Sequence, residues 1–504
     1  MSFYINIDYG TTAAGIRTVS ERAIAIIGRS TGFSGIAYNV QSVDELSGAV
    51  SSDPLYQAVE NALEILPSTA MVIAAGLPAG GTTYDDLELV EGPDFWYSEY
   101  SPVDSVSDEQ VYVTDLDQIS GFTNPESGWY TIVSGLEWEE DDGVMTGIVR
   151  VDESGLVITD GTDVVSGYMM ADGDKLRADI TVSPLSEIFK ELSGPQYRFQ
   201  FFLFAYPEKE TPVDPSVSDD FKFASGYCIG GKGWLDDIYL GKALAGAFNR
   251  LNQRTMFIAS LPDGVYPDTA IGSAYLEGTS VSGVKYADLP LLIQSDNVIL
   301  VQANVYQPET YDPALQMAGT RMDANPRRSC LFLPPAGGVS LETVISQPII
   351  NKWRTARINV VSTSRASDTP VWHGNFTMSS DPHKGDINYK QCINLLAYDL
   401  EMALYGILYS PNPIKYDLST MDLLEQTIKT VCLQYTSAGI IDGYISTTIP
   451  IRSLLAKEGS LTPGEQATLD AARASGVIDN VTVAFYWAGD VETINITLYG
   501  TGGG

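Results

Sequence analysis

Hydrophobic and polar residues alternate most regularly near the two ends of the chain. Close to the C-terminus the alternating segments are 481–487 and 493–499, and Ala488-Gly489-Asp490 lies between them. A period of two that is bounded by turn residues predicts a β-hairpin. An isolated two-stranded hairpin is only marginally stable in water, so we expect these strands to need further partners.

The N-terminal residues 3–9 alternate in the same way and lead into the small, uncharged run 10–15. Seven extended residues span about 23 Å, which is long enough to reach a neighbouring molecule. An exposed apolar strand edge tends to pair with another chain. The terminal strands are therefore predicted to pair either with a second copy of the chain or within their own domain.

A longer-range α/β pattern begins after this segment. The continuous apolar run 23–28 (AIAIIG) is typical of a strand buried on both faces, and so is the run 70–75 (AMVIAA). Between them Asp53-Pro54 is predicted to open a helix as N-cap and first helical residue. Strand, helix and strand in this order predict a βαβ unit of a parallel sheet.

The pattern changes between residues 91 and 230, where short strand-like runs at 111–113, 147–151 and 197–204 predict a β-rich insertion. The α/β pattern then resumes. We predict further strands at 256–259, 298–301, 330–333 and 358–361, and a helical stretch at 341–353 that is interrupted at Pro348.

The last part of the chain is predicted to hold three helices. One begins near residue 387, a second spans 420–435 with Gly439 just beyond its end, and a third starts at the capping box of Thr462 and Glu465. The fold class that follows is α/β, or α+β overall. The predicted domains are an N-terminal arm (1–20), an α/β domain (21–90 and 231–386), the insertion (91–230), a C-terminal domain (387–489) and a C-terminal arm (490–504).

Composition restricts the possible functions. The net charge is −35, and residues 91–230 hold 28 Asp and Glu against 7 Lys and Arg, a net charge of −21. This excess of acid disfavours a nucleic-acid groove and predicts an outward-facing, acidic insertion. The four cysteines are far apart, which suits a reducing cytoplasm. No stretch has the composition of a membrane span or a secretory signal, so we expect a soluble protein.

The candidate chemistry is sparse. Both histidines, His373 and His383, lie in predicted loops, and Gly278-Thr279-Ser280 lacks the residues that follow the nucleophile of a subtilisin-type protease. The run 334–338 has no nucleotide-binding motif, so it is interpreted as a simple turn. The acidic runs 139–142 and 172–174 lack the spacing of a calcium-binding loop, and a solvated acidic face is the preferred interpretation. We expect no catalytic residue, no cofactor and no metal.

The order of these parts resembles the contractile tail sheath proteins of bacteriophages and related injection machines. The resemblance is carried by residues 23–50 (AIAIIGRSTGFSGIAYNVQSVDELSGAV), by 53–58 (DPLYQA), by 261–264 (LPDG) and by 388–391 (NYKQ). Ser410-Pro411-Asn412 and the turn at 439–443 also fit. The similarity covers approximately 1–90 and 235–504, and the acidic insertion carries no motif that we can match.

This resemblance implies a subtilisin-like α/β domain without a catalytic triad and a C-terminal domain that faces a tail tube. It also implies a non-enzymatic, structural subunit that forms stacked hexameric rings around the tube and contracts to drive the tube through the host envelope. The implied partners are further copies of the chain, the tail tube protein, and the baseplate and tail-terminator proteins. The implied location is the virion tail, after assembly in the host cytoplasm.

In that family, terminal arms add strands to the C-terminal sheets of neighbouring subunits. The residues expected to dock are Phe3, Ile5 and Ile7 in the N-terminal arm, and Ile494, Ile496 and Leu498 in the C-terminal arm. Gly10 and Gly15 are expected to act as hinges. A static shell or surface-layer protein, a subtilisin-like hydrolase and an ordinary binding module remain as alternatives.

Overall fold

The computed structural model describes the residues from Arg22 to Trp487 with gaps, and we call them the described residues. They are 22–77, 82–91, 96–97, 110–114, 127–131, 136–140, 143–152, 155–159, 164–166, 175–182, 184–194, 196–206, 229, 234–251, 253–261, 265–271, 274–276, 279–281, 283–303, 312–323, 329–338, 345–364, 367–381, 385–408, 415–478 and 480–487.

The first described elements form the predicted βαβ unit. They are β1 (Ala23–Arg29), β2 (Gly35–Ala37), α1 (Pro54–Ile65) and β3 (Met71–Leu77). Strands β1 and β3 are parallel and in register over their whole length, because apolar side chains cover both faces of each strand. Strand β2 pairs antiparallel with β3 at the edge of the sheet. The βαβ prediction is confirmed.

The described residues between 82 and 182 form nine strands, and seven of them make one antiparallel sheet in the order β11-β10-β9-β8-β12-β4-β5. Strands β6 and β7 form a separate pair. The bounds are β4 (Thr82–Glu91), β5 (Trp96–Tyr97), β6 (Gln110–Thr114), β7 (Ser127–Thr131), β8 (Leu136–Glu140), β9 (Gly143–Asp152), β10 (Gly155–Thr159), β11 (Val164–Ser166) and β12 (Lys175–Val182). The described residues of this segment are therefore rich in strands.

The chain then returns to the first sheet. The next elements are α2 (Pro184–Leu192), β13 (Phe201–Ala205), α3 (Trp234–Arg250), β14 (Met256–Ser260), β15 (Ala274–Leu276), β16 (Thr279–Val281), α4 (Leu289–Ile293), β17 (Val298–Ala303), α5 (Pro313–Asp323), α6 (Gln347–Thr355), β18 (Asn359–Ser364) and β19 (Ser367–Trp372).

In the part of the chain that the structure describes, the main sheet has eight strands in the order β19-β18-β17-β14-β13-β1-β3-β2. The six inner strands are parallel, and antiparallel strands close both edges. Helices α2, α3 and α6 cover one face of the sheet, and α1 and α5 cover the other. The result is a three-layer α/β body with two apolar cores, one on each face of the sheet.

Three local predictions are wrong. The run 197–204 was assigned to the insertion, but β13 lies in the middle of the main sheet between β1 and β14. Residues 330–333 form a turn in which the Leu333 amide donates to the Cys330 carbonyl over 2.8 Å. The two prolines that follow have no N–H group, so the run is poorly suited to a strand ladder. Pro348 does not interrupt a helix, because it lies in the first turn of α6, where proline is tolerated.

The C-terminal elements are α7 (Ile387–Leu408), α8 (Leu418–Ser437), β20 (Gly443–Thr448), α9 (Pro450–Leu455), α10 (Pro463–Ser475) and β21 (Thr482–Tyr486). The helices predicted from sequence are confirmed. Thr462 and Glu465 form the predicted capping box of α10. Gly439 and Gly476 follow α8 and α10 with φ of 67° and 68°, the left-handed backbone that glycine adopts without a steric penalty.

Candidate assembly surface

The smallest sheet of the C-terminal region consists, within the described residues, of β20 and β21. The two strands are antiparallel, with Gly443 opposite Tyr486 and Thr448 opposite Thr482, and the register shifts between Tyr444 and Ser446. The strands are far apart in the chain because α9 and α10 lie between them. A ladder of this size is at most marginally stable alone, so it depends on what packs against it.

One side of this sheet is held by the C-terminal helices. Tyr444, Val483 and Phe485 pack against a buried apolar cluster of α7, α8 and the turn that follows α8. That cluster consists of Leu396, Ile428, Val431, Cys432, Tyr435 and Ile441. The hydrophobic contact supplies the support that the two strands lack by themselves.

The sheet also exposes apolar side chains. Ile445 is 46% exposed and Tyr486 is 63% exposed. In contrast, every residue of β3 in the main sheet is buried. Other large apolar side chains in the described residues are exposed as well, among them Leu291, so the feature that suits this sheet to receive another strand is its short ladder.

The sequence pattern predicted β21 but paired it with residues 493–499, which lie outside the described residues. It did not predict β20. A signal was present, because the run Tyr444-Ile445-Ser446-Thr447-Thr448 is rich in β-branched and aromatic residues and is bounded by Gly443 and Pro450. The run is short and largely polar, which made it easy to miss.

The predicted docking and hinge residues also lie outside the part of the chain that the structure describes. They are Phe3, Ile5, Ile7, Gly10, Gly15, Ile494, Ile496 and Leu498. Their roles stay predictions.

A second candidate site is the carboxyl edge of the main sheet. In chain order the six parallel strands are arranged 2-1-3-4-5-6, so the direction of winding reverses between β1 and β13. Open α/β sheets bind ligands outside the carboxyl ends of the strands at such a point. A ligand site at this edge would require polar groups that are not already bonded within the protein.

Asp53 is buried there, and it is bonded to the protein's own donors. Its carboxylate accepts from the Ser30 hydroxyl (2.8 Å), the Thr31 hydroxyl (2.6 Å) and the amides of Thr31 and Val50 (3.0 Å each). Burial alone would raise the pKa of Asp53, but these hydrogen bonds outweigh it and lower the pKa. Asp53 begins α1 without a side-chain cap, so it ties the loop after β1 to the start of α1.

Asp237 in α3 is engaged in a similar way. It is fully buried and accepts from the Tyr206 hydroxyl over 2.7 Å and from the Ile229 amide over 2.9 Å. A carboxylate that accepts several internal hydrogen bonds is held in place by the fold. Asp53 and Asp237 are therefore explained as structural groups at this edge.

His373 is also structural in its surroundings. It is buried, and its Nε2 atom lies 3.2 Å from the Ser362 carbonyl. Burial is the main cause that lowers its pKa, and the nearby Arg354 lowers it further, so the imidazole is neutral at pH 7. Ser280 lies in β16, and His383 lies outside the described residues.

The loop 334–338 packs against helices. A Cβ atom on Gly319 of α5 would lie 2.7 Å from the Cβ of Ala336, and one on Gly337 would lie 3.2 Å from Ile65 of α1. Helix α6 begins at Gln347, so the loop does not lead directly into a helix N-terminus. These contacts favour the predicted turn over a phosphate-binding loop.

Two further features are absent from the described residues. These residues contain no group of three or more His, Cys, Asp or Glu side chains arranged to hold a metal ion. The acidic run 172–174 lies outside them, and Glu139 and Glu140 lie in β8. None of the helices within these ranges is both long and apolar enough to cross a membrane.

No family model matches the chain, and no curated protein matches it. Solved structures do. The anti-feeding prophage helical sheath in its contracted state is 11% identical over 100% of both chains, with a TM-score of 0.46. The sheath tail protein of Desulfitobacterium hafniense is 11% identical over 88% of this chain and 93% of its own, with a TM-score of 0.40.

A chain from the anti-feeding prophage baseplate is 15% identical, with a TM-score of 0.37. The match covers 52% of the present chain and 65% of the baseplate chain, so the present chain spans less than two thirds of that relative. The two sheath proteins are of the kind that the sequence resembles.

Proposed function

We propose that the chain is a structural subunit of a contractile tail sheath. The observation that carries the proposal is the sheet of β20 and β21, which within the described residues is a two-stranded ladder that exposes Ile445 and Tyr486. Such a sheet gains stability when further strands extend it, because each added strand satisfies backbone N–H and C=O groups at an open edge.

The strands that complete this sheet come from other copies of the chain. The alternating segments 3–9 and 493–499 have the length and pattern of edge strands, and residues 10–15 can link such a strand to its own subunit. Phe3, Ile5, Ile7, Ile494, Ile496 and Leu498 set the register, because alternate side chains face the same side of a sheet. Gly10 and Gly15 allow the arm to bend.

In the assembled particle the subunits form stacked hexameric rings around a tail tube, and the C-terminal region faces the tube. Contraction replaces the contacts between rigid subunits while the arms stay joined, and it drives the tube through the host envelope. The partners are further copies of the chain, the tube protein, and the baseplate and terminator proteins. The particle assembles in the host cytoplasm and acts as part of the virion tail.

This mechanism requires no chemical step in the subunit, so the chain is proposed to be a non-enzyme without a cofactor. The neutral, buried His373 and the internally bonded carboxylates of Asp53 and Asp237 support that view. The α/β body, which is proposed to be subtilisin-like, then serves as a scaffold. Its residues hold the C-terminal sheet in place and carry the acidic insertion.

Electron microscopy of negatively stained, purified protein tests the proposal. The full chain is compared, over a concentration series, with a variant that lacks residues 1–15 and with a variant that ends at Gly489. We expect hollow, striated tubes from the full chain, and folded monomers without tubes from both deletions. Leu291→Ala, at a 68% exposed position of the α/β body, is the control and should still form tubes.

Each other outcome has a definite meaning. Ordered tubes from either deletion would contradict the arm mechanism. Tubes of one fixed length and diameter under all conditions would favour a static shell. Monodisperse particles at every concentration, also after co-expression with the candidate tube protein, would overturn the sheath proposal.

A further inference from the structure

Helix α7 is one continuous helix of 22 residues that packs in two different cores. Ile387, its first residue, is buried in the core of the α/β body on the face covered by α1 and α5. Leu396, about two and a half turns later, is buried in the C-terminal cluster with Ile428 and Tyr435. The helix thus begins at the predicted domain boundary, at residue 387, and packs in the cores of both regions.

The first turns of α7 are joined to the α/β body by buried polar contacts. The Asn375 side-chain amide donates to Asn388 over 2.7 Å. Arg321 of α5 donates to the Gln391 side-chain oxygen from Nε over 2.9 Å and also from a terminal guanidinium nitrogen. Arg321, Asn388 and Gln391 are buried. A rotation of α7 about its axis would remove these acceptors from buried donors, which is unfavourable.

Further contacts continue along the helix to its fourth turn. The Asn394 side chain donates to the Arg254 carbonyl over 2.9 Å, and Arg254 forms a two-pronged ion pair with Glu401. The Arg198 guanidinium lies 4.8 Å from the centre of the Tyr398 ring. An ion pair of this geometry fixes orientation as well as distance.

The α7 residues that make these contacts follow helical spacing. They are Asn388, Gln391, Asn394, Tyr398 and Glu401. Steps of three or four residues keep side chains on one face of a helix. At a rise of 1.5 Å per residue, the stripe is about 20 Å long.

Other residues of α7 hold the C-terminal elements. The Tyr435 hydroxyl of α8 donates to Asp399 over 2.9 Å. The Tyr389 ring lies 5.0 Å from the ring of Trp487, which directly follows β21. Both the α8 helix and the end of the two-stranded sheet are therefore attached to α7, which is itself bonded to the α/β body.

We propose that the polar stripe makes residues 387–401 of α7 a rigid strut that fixes the C-terminal sheet to the α/β body. Arg254, Arg321 and Asn375 are the positioning residues of this strut. The rigidity itself is a property of the single subunit. Its role in the particle rests on the proposed sheath function: the strut transmits force from β20 and β21 to the α/β body.

Double electron–electron resonance on dilute, monomeric full-length protein tests the strut. Spin labels are placed at Tyr266→Cys in the α/β body and at Ser437→Cys at the end of α8, both exposed positions. Cys228 is replaced by Ser, and the other three cysteines are buried. We expect one narrow distance distribution in this background.

The test variant combines Arg321→Met with Glu401→Gln. Because both changes weaken the stripe, we expect its distance distribution to broaden to roughly twice the original width or more. Glu401→Gln alone alters a partly exposed ion pair, should fold normally, and should broaden the distribution measurably. Arg452→Gln is the matched control, because Arg452 pairs with Asp422 and Glu425 inside the C-terminal region, and it should leave the width unchanged.

A broad distance distribution in the protein with an unaltered stripe would overturn the strut. An unchanged width in both stripe variants would also overturn it, provided that both retain the circular dichroism of the folded protein. The measurement needs no assembled particle. A chain that shows the expected widths but never forms tubes retains the strut and loses the sheath function. A chain that forms tubes but shows a broad distance distribution retains the sheath function and loses the strut.

Discussion

The eight-stranded sheet of the α/β body and the two-stranded sheet of the C-terminal region differ in how their strands and faces are covered. The inner strands of the large sheet have neighbours on both sides and helices on both faces, so β3 and β13 are buried throughout. The small sheet has helices on one side and exposes Ile445 and Tyr486. The first is self-sufficient within one chain, whereas the second is suited to completion by another.

The largest effect should follow from breaking the self-sufficient sheet. Phe202 of β13 lies within 5.1–6.3 Å, between ring centres, of Phe199, Phe204, Phe248 and Phe257. Phe202→Ala removes the centre of this aromatic group and should lower the free energy of unfolding by about 3–5 kcal/mol. Urea unfolding measures it. The exposed Leu291→Ala should change it by less than about 0.5 kcal/mol, and similar losses for both variants would contradict the core assignment.

A smaller loss is expected from Asp53→Ala at the carboxyl edge of the same sheet. The change leaves the donors on Ser30, Thr31 and Val50 without their acceptor, which should cost about 3 kcal/mol near neutral pH. Because the pKa of Asp53 is lowered on folding, its stabilisation is complete above the ordinary value of 3.8 and is lost as the pH falls below it. The variant should therefore differ less from wild type in acid, as urea unfolding at several pH values would reveal.

His373 should make the large sheet sensitive to mild acid. Its pKa is lowered from the ordinary value of 6.5, so the unfolded chain binds the proton more readily. Its contribution to stability is complete above pH 6.5 and declines as the pH falls further. His373→Gln should flatten the loss of stability between about pH 6.5 and 5. An unchanged pH profile would mean that this imidazole has the same pKa in the folded and the unfolded chain.

The smallest effect on stability, and the sharpest contrast, is expected at the small sheet. Tyr486→Ser changes a largely exposed side chain and should alter the free energy of unfolding by about 0.5 kcal/mol or less. If the small sheet is completed by other copies, the same variant should form fewer tubes at a given concentration. Normal tube yield together with normal stability would remove this side chain from the proposed interface.

The acidic segment adds to the contrast between regions. Because β13 belongs to the main sheet, the separate antiparallel sheet lies between residues 82 and 182. This segment holds 24 Asp and Glu against 3 Lys and Arg, a net charge of −21. Of the net charge of −21 counted over residues 91–230, residues 91–182 carry −18, so most of that excess is concentrated here. A charge of this size is compatible with a solvated, outward position and costs little there.

What the sequence determined by itself was local. Apolar runs such as 23–28 predicted buried strands, and the spacing of apolar residues predicted α1, α7 and α8. The capping residues Thr462 and Glu465 predicted where α10 begins, and Gly439 predicted where α8 ends. These signals are readable because backbone geometry repeats over a few residues, so neighbours in sequence carry the information.

Only the tertiary structure decided which distant residues meet. It put β13 in the centre of the main sheet, paired β20 with β21 across two helices, and made Asp53 a link to the loop after β1. It also aligned Arg321 with Gln391, 70 positions apart. The physical reason is that strand order and buried hydrogen bonds depend on packing between elements, and hydrophobic periodicity records which face is buried without recording what covers it.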